Sequence, residues 1–534
     1  MKTNVIRTLS VLFILLASLP GTGLFGQQKQ LTWEEERSNY QFPKWYTEAR
    51  FGIWVHWGAQ TQPASGGGWY ARHMYMQDVG AEKWGAKAYS YQVKTYGHPS
   101  QKGFKDVIHE WKAEHLETDS LLAYFKSIGA KYFVALANHH DHFDNFNSTY
   151  HAWNSVNVGP KKDIIGLFKK SAVKYGIPFG VSSHDDRFLS WWLPAFGADT
   201  SGPYKGVPYD GRMTKADGKG KWWDGLDPAD LYGLPPEKRT AAYPDSVKRN
   251  YVQRIEELVT KYDADMLWFD GYGFPYGAYG KEVCTYFLNY NLRKNGKYTA
   301  VIAGKFNNEP STVKDIERGG ATEILPYPWQ GTLTFGSWFY KQDEVPRQNA
   351  RVIIETLTDM ISKNGNLLLN VELLPDGTIP ADHKRILDSV GAWINTDSIA
   401  IYASKPWKIY GDNLEGTATT HNVTNADLAA VKKNKSEDFN ERTIASPPYS
   451  HNEVRFTTKG NSLYVFVLNP IPGKIEIPAL GTNSPYNKNK IKSIRLLGEK
   501  GSISFRQDAD KLNFTIPVLK ENTFTRVFEV KGVL

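Results

Sequence analysis

The 534-residue chain contains a single cysteine, Cys284. One cysteine excludes an intrachain disulfide framework and any cysteine-based zinc cluster. Long hydrophobic runs are equally scarce. The one near the start, Val11 to Leu19, is about nine residues, too short to span a bilayer. Lys2 and Arg7 precede it and Gly21, Gly23 and Gly26 follow, so residues 1–26 read as a secretory signal. No cysteine follows to carry a lipid anchor, and no later segment reads as a membrane span. The expectation is an exported protein, periplasmic or secreted, free of the membrane once the signal is removed. Charge clusters are missing too. The 64 Lys+Arg and 56 Asp+Glu are scattered, which argues against a nucleic-acid partner. Without Lys2 and Arg7, 62 basic residues face 56 acidic ones, a net charge of +6. That leaves a polyanionic carbohydrate as a weakly signalled partner.

What the chain has in quantity is aromatic side chains: 17 Trp, 30 Tyr and 26 Phe. They suit large cores, or faces for flat, partly apolar ligands such as sugars. The hydrophobic share of 41% is enough to build cores, and the length predicts two to four domains.

Residues 30–405 alternate between strand and helix patterns. Strand-like runs are Phe51–Val55, Tyr132–Ala137, Phe179–Ser182, Met266–Phe269, Thr299–Ile302 and Leu367–Val371. Helical spacing marks Ile164–Tyr175, Val247–Tyr262 with a Ser246 cap, and Asn349–Lys363, which stops at Asn364 and Gly365. Such alternation predicts an α/β fold, and the length with its long loops favours a (β/α)8-like barrel over an open sheet. Beyond Pro406 the helical patterns stop. Short alternating runs from Asn452 to Val530 predict an antiparallel β-sandwich over 406–534.

Polar residues gather just past the strand ends, where a barrel does its chemistry. Asp270 closes Met266-Leu267-Trp268-Phe269-Asp270-Gly271 and is either a pocket carboxylate or an Asp-Gly turn. In His139-His140-Asp141-His142, the imidazoles could ligate a metal, bond to ligand hydroxyls, or form a polar loop. Phe51-Gly52-Ile53-Trp54-Val55-His56-Trp57-Gly58 and Gly67-Gly68-Trp69-Tyr70 combine backbone freedom with stacking faces, or are packed barrel strand. Glu317, in Asp315-Ile316-Glu317-Arg318-Gly319, falls 47 residues after Asp270 and is expected on a rim loop facing it, or exposed beside Arg318. Two facing carboxylates with aromatic walls are the equipment of a glycosidase.

Taken together, these segments resemble glycoside hydrolase family 29, the α-L-fucosidases. The matches run in order: Trp45 to Gly58, Trp69 to Tyr75, Lys131 to Asp141 with Asn154 to Asn157 and Gly159 to Asp163, Leu267 to Gly271, Pro328 to Tyr340, Asn364 to Val371 with Asp376 to Pro380, and Ile401-Tyr402 with Pro406-Trp407. The resemblance implies a barrel followed by a β-sandwich and an exo-acting, retaining hydrolysis of terminal α-L-fucosyl residues from a glycan, without cofactor or metal. By position, Asp270 is the nucleophile and Glu317 the acid/base, with Asp315, Glu309 and Glu323 as rivals. His56, His139 and His140 match sugar-binding histidines. Trp69 and Trp268 match pocket aromatics, joined by Trp329 of the Pro-Trp segment. A raised pKa is expected for Glu317. Two departures stand out: Gly68 replaces a Glu, and Ser182-Ser183-His184 replaces a Tyr-Tyr-Ser, with His184 expected to supply a lost hydroxyl contact. The competing readings are a metal-dependent barrel hydrolase using His139, His140, His142 and Asp270, and a non-catalytic carbohydrate-binding protein. Within the family, α-L-galactose is a further conceivable substrate.

Overall fold

The computed structural model describes residues 30–77, 84–307, 309–412, 414, 449, 451–518 and 524–534. The signal segment lies outside them. Eight parallel strands close into a barrel in chain order: β1 (Phe51–Val55), β2 (Phe133–Asn138), β3 (Phe179–Ser183), β4 (Met266–Tyr272), β5 (Val301–Lys305), β6 (Val313–Glu317), β7 (Trp329–Thr334) and β8 (Gly365–Asn370). β8 returns to β1 through Phe51 paired with Leu367 and Trp54 with Asn370.

The pleat sorts each strand into two faces. Trp54, Val134, Met266, Trp268, Val301, Ala303, Val313 and Leu368 meet inside the barrel, closed below by Tyr46 and Tyr132. Their neighbours Ile53, Phe133, Leu267, Ile302, Ile316 and Leu367 point outward and pack against the helices. The layering needs one bare position: a Cβ on Gly52 would sit 2.3 Å from the Tyr132 ring.

Two strands carry no apolar signature. β6 reads Val-Lys-Asp-Ile-Glu, so its inward positions Asp315 and Glu317 are acids. β7 turns Gln330, Thr332 and Thr334 inward, and the first two bond to Asp315. Glu317 therefore ends a strand rather than riding a loop, and Arg318 turns the chain at a φ of 50° immediately after it. The helix Tyr243–Tyr262 also starts earlier than its spacing suggested. Ser246 lies inside it and donates to the Tyr243 carbonyl instead of capping it.

The C-terminal strands are β9 (Lys405–Asp412), β10 (Val454–Lys459), β11 (Ser462–Val467), β12 (Gly473–Ile477), β13 (Ser493–Leu496), β14 (Phe505–Gln507), β15 (Leu512–Ile516) and β16 (Arg526–Lys531). They form a five-stranded sheet, β13-β16-β11-β10-β9, and a three-stranded one, β12-β15-β14. Both sheets feed one core, with Val465 and Phe528 from the first and Ile475 and Phe514 from the second. Arg455 of β10 ties this unit to the barrel helix Ala350–Ser362 through Asp359 at 2.7 Å.

Candidate active site

The C-terminal ends of the strands converge on one cluster. Asp270 sits where β4 shifts register between Phe269 and Tyr272, an irregularity that re-aims a side chain. Gly271 follows at a φ of 83°, and a Cβ there would lie 2.4 Å from Asp186 Oδ2. Lys305, the last residue of β5, donates to Asp270 Oδ1 at 2.8 Å and pairs with Glu317 Oε2 at 2.7 Å. His140 Nε2 lies 3.4 Å and His184 Nδ1 3.6 Å from Asp270 Oδ2.

These contacts set the charges. Burial favours the neutral acid, but the Lys305 charge and the two imidazole N–H groups override it and hold Asp270 well below the usual carboxylate range. Glu317 follows the same logic: burial opposes ionisation, and Lys305 with Arg318 wins, so its pKa is lowered. The expected raised pKa of Glu317 is therefore absent in the free site, because one ammonium serves both acids. Asp315 goes the other way, pushed up to about 6 by burial.

Asp315 is fixed beneath the pocket, accepting from Trp268 Nε1 at 3.1 Å, Gln330 Nε2 at 2.7 Å and Thr332 Oγ1 at 3.2 Å. It anchors the aromatic floor. Of the other rivals, Glu309 pairs with Arg37 at 3.0 Å, and Glu323 lines a groove with Lys408 and Tyr410 of the sandwich. Glu317 is the one of these acids brought against Asp270's lysine.

The histidines are sorted by what holds their far nitrogen. Asn370 Oδ1, oriented by the bond from Asn370 Nδ2 to the Trp338 carbonyl, lies 3.1 Å from His56 Nδ1. Since that oxygen only accepts, His56 keeps its proton on Nδ1 and offers a lone pair at Nε2. Gln60 has the opposite effect. Its oxygen takes the Ala71 N–H, so its amide nitrogen donates to His139 Nδ1 at 2.8 Å, leaving His139 Nε2 as a donor. Burial keeps His56, His139 and His184 neutral by lowering their pKa values. His140 Nδ1 and His184 Nε2 are buried without a hydrogen-bond partner among the described residues. Neutral rings offering a mix of donors and acceptors match sugar hydroxyls.

Trp54, Trp268 and Trp338 form the aromatic floor, with Trp54 4.3 Å from Trp268 and 5.5 Å from Trp338 by ring centroids. Trp69 forms a wall with Trp191 at 4.7 Å and His140 at 5.9 Å. Trp329 is not part of it. It starts β7 at the opposite end of the strand, faces outward, and donates Nε1 to the Lys363 carbonyl at 2.8 Å. Its odd position on a strand whose even positions face in puts it in the barrel–helix core. Trp338, nine residues on, takes the place at the pocket, 4.8 Å from His56 and under the Arg318 guanidinium at 4.7 Å.

Sequence reasoning also missed Lys305, Trp191, Phe339 and Asp186, whereas Trp54 lay in the Phe51–Gly58 run that offered a stacking face. Only Lys305, a cation ending an apolar strand, carried a legible signal. Phe339 accounts for the bare Gly68: a Cβ there would lie 2.8 Å from the Phe339 ring. His142 turns away from the pocket, toward Asp185 at 2.7 Å and Arg254. The four groups of the metal-hydrolase reading are thus not brought together. Among the described residues, the set that could hold a metal is His56, His139 and His184, with ligand atoms within 4.8 Å of one another.

The sequence profile of the alpha-L-fucosidase family matches residues 24–398. The chain belongs to that family. Relatives agree along most of its length. Alpha-L-fucosidase of Dictyostelium discoideum is 26% identical over 445 residues, covering 81% of this chain and 86% of that protein. A solved alpha-L-fucosidase superposes with a TM-score of 0.68 at 25% identity, covering 94% of this chain and 99% of the other. The Thermotoga maritima alpha-fucosidase, solved in complex with fucose, gives 0.65 at 26% identity, with 93% and 98% covered. This chain therefore shares both barrel and sandwich with fucosidases, and it is a glycoside hydrolase of the α-L-fucosidase type.

Proposed function

We propose that the protein is an exo-acting, retaining α-L-fucosidase in which Asp270 attacks the anomeric carbon and Glu317 serves the leaving oxygen. The observation that carries this is the shared lysine. Asp270 Oδ1 and Glu317 Oε2 both touch Lys305 Nζ, at 2.8 and 2.7 Å, so these two oxygens lie within about 5.5 Å of each other, a closeness that supports the paired carboxylates of a retaining glycosidase. In the first step Asp270 bonds to C1 and Glu317 gives its proton to the departing oxygen. In the second, Glu317 takes a proton from water, which attacks C1 and frees Asp270. His56, His139, His140 and His184 replace water around the sugar hydroxyls. Trp69 and Trp268, with Trp338, give the apolar face of a 6-deoxy sugar a dry wall. The Thermotoga maritima protein's complex with fucose supports this substrate class.

A second reading concerns the proton donor alone. Asp186, beside Gly271, is pushed up to about 6 by burial and by the Asp270 charge. A carboxyl protonated that far up the scale is suited to general acid work. Following the anomeric proton by NMR tests the main proposal: α-L-fucose should appear first from an aryl α-L-fucoside, and initial release of the β-anomer would refute it. Comparing Glu317→Ala and Asp186→Ala on an unactivated fucosyl disaccharide, with azide rescue on the aryl fucoside, separates the two donors.

The natural substrate under this proposal is a fucosylated glycan met outside the cytoplasm, because residues 1–26 carry the pattern of a secretory signal. Among the described residues no helix is long and apolar enough to cross a membrane. N-terminal sequencing of the exported protein tests this; a mature chain still beginning at Met1 would contradict it.

A further inference from the structure

Away from the pocket, one tryptophan is unburied. Of the tryptophans with described burial, only Trp222 is exposed, at 36%. Its ring is held in place. Nε1 donates to Asp106 Oδ1 at 2.9 Å, and the His109 imidazole stacks on the ring at 4.2 Å and 18°. The buried Trp153 abuts its edge at 6.2 Å. Asp106 is itself neutralised, taking Lys105 Nζ at 2.7 Å and the Gly103 N–H at 3.0 Å. A rigid indole therefore stands at the surface over a buried, compensated acid.

Lysines make up most of the exposed charge acting on His109, while Asp217, which feels the Lys221 charge, and Asp224, which accepts from the Gly220 N–H at 3.0 Å, lie on the Lys221 side. Besides Asp106, the charges acting most strongly on His109 are Lys112, Lys161 and Lys102. Lys112 donates to the His109 carbonyl and Lys161 to the Asn157 carbonyl. Lys221, next to Trp222, lies over the Trp223 ring at 5.5 Å. Among the described residues, none of these four lysines is paired with an acid. Topology places the patch on the catalytic side. Residues 102–112, 161 and 221–222 precede the helices Thr118–Ser127, Ile164–Tyr175 and Tyr243–Tyr262 that return the chain from the rims of β1, β2 and β3.

We propose that Trp222 with Lys102, Lys112, Lys161 and Lys221 forms a binding platform for an anionic polysaccharide, holding a sulfated or carboxylated chain beside the pocket. A sugar ring lays its C–H face on the indole, and the anionic substituents along the chain meet unpaired ammonium groups. Single-stranded nucleic acid is the weaker match, since it asks for several successive stacking faces along a groove. The platform is independent of the assignment of Asp270 and Glu317.

The experiment is affinity electrophoresis of the full-length protein through dextran sulfate, polygalacturonate and neutral dextran, with aryl α-L-fucoside hydrolysis measured alongside. Retardation is expected in both polyanions and not in dextran. Trp222→Ala should weaken it roughly tenfold through loss of the stacking face. Lys112→Glu with Lys161→Glu should weaken it further and flatten its salt dependence. Hydrolysis of the small aryl fucoside should stay unchanged in both variants, so a failure here is distinguishable from a failure of the catalytic proposal. Unaltered retardation of the variants, equal retardation in neutral dextran, or tighter binding of oligodeoxythymidylate of matched charge would each overturn the platform.

Discussion

Lys305 is the most informative residue to change, because a single ammonium group serves both candidate catalytic acids. The perturbation is Lys305→Met, which keeps the length of the stem and removes the charge. In the native site Glu317 loses its proton more readily than an ordinary glutamate, despite burial, because Lys305 and Arg318 stabilise the anion. The proton needed by a leaving group is therefore present only on the acid side, and the basic limb of kcat/KM on an unactivated disaccharide should fall at acidic pH. A unit charge about 4 Å away at an effective dielectric of about 20 is worth ~4 kcal/mol, or about three pKa units. Lys305 and Glu317 are each 17% exposed in their side chains, so solvent screening reduces this to about two units.

Lys305→Met should then move the basic limb up by about two pH units, while Lys305→Arg leaves it near its native position. The acid limb should rise as well, since Asp270 loses the same cation. On an activated aryl fucoside, which needs little protonation, the basic limb should fade in both enzymes. Full pH profiles of kcat/KM for the two substrates provide the assay. A basic limb that does not move in Lys305→Met would refute the coupling of Glu317 to the lysine, and one that instead vanished in Asp186→Asn would transfer the acid role to Asp186.

Other outcomes can be checked alongside. Asp270→Gly should abolish turnover on every substrate while leaving the melting temperature within a few degrees, and measurable hydrolysis of an aryl fucoside would remove Asp270 from the nucleophile's role. Trp329→Leu should cost about 2–4 kcal/mol in denaturant unfolding with KM unchanged, whereas Trp338→Ala should raise KM with a smaller stability loss; the reverse pattern would overturn the placement of the two rings. Arg254→Met should destabilise by about 3–5 kcal/mol, since it strands Asp144 and Asp185, both buried against that guanidinium. Burial pushes both acids up to about 6, so stability falls as pH rises from about 4 through about 6, and the fall should be steeper in the variant by thermal melts across that window.

How far the sequence spoke depends on which face of the barrel each residue occupies. Strands such as Phe51–Val55 and Phe179–Ser183 were legible because each opens on apolar residues, Phe-Gly-Ile-Trp-Val in one and Phe-Gly-Val in the other. β6 and β7 were not, because Gln330 and Thr332 bond to Asp315 inside the barrel and Glu317 pairs with Lys305. A buried polar network reads, residue by residue, as a solvated loop. The same blindness misplaced Trp329. Its neighbours Pro328 and Gln330 suggested a pocket segment, yet a strand's period of two decides the side, and that register appears only once Gln330 is seen to bond inward to Asp315. Asp270 and the histidines were legible because they follow apolar strands, where a polar residue has no structural reason to be. Lys305 met that same criterion and was passed over, although it sets the charge of both acids. The two departures at Gly68 and His184 become one feature once Phe339 is placed. Its ring fills the space beside Gly68, and it stands 5.0 Å from His139, whose ring stacks on His184 at 4.8 Å. Phe339→Ala should therefore make room for Gly68→Glu, and neither single change should preserve sugar affinity: the glutamate alone collides with the ring, and the alanine alone loosens the His139–His184 stack. A Gly68→Glu enzyme with native KM would show that these positions are not coupled through Phe339.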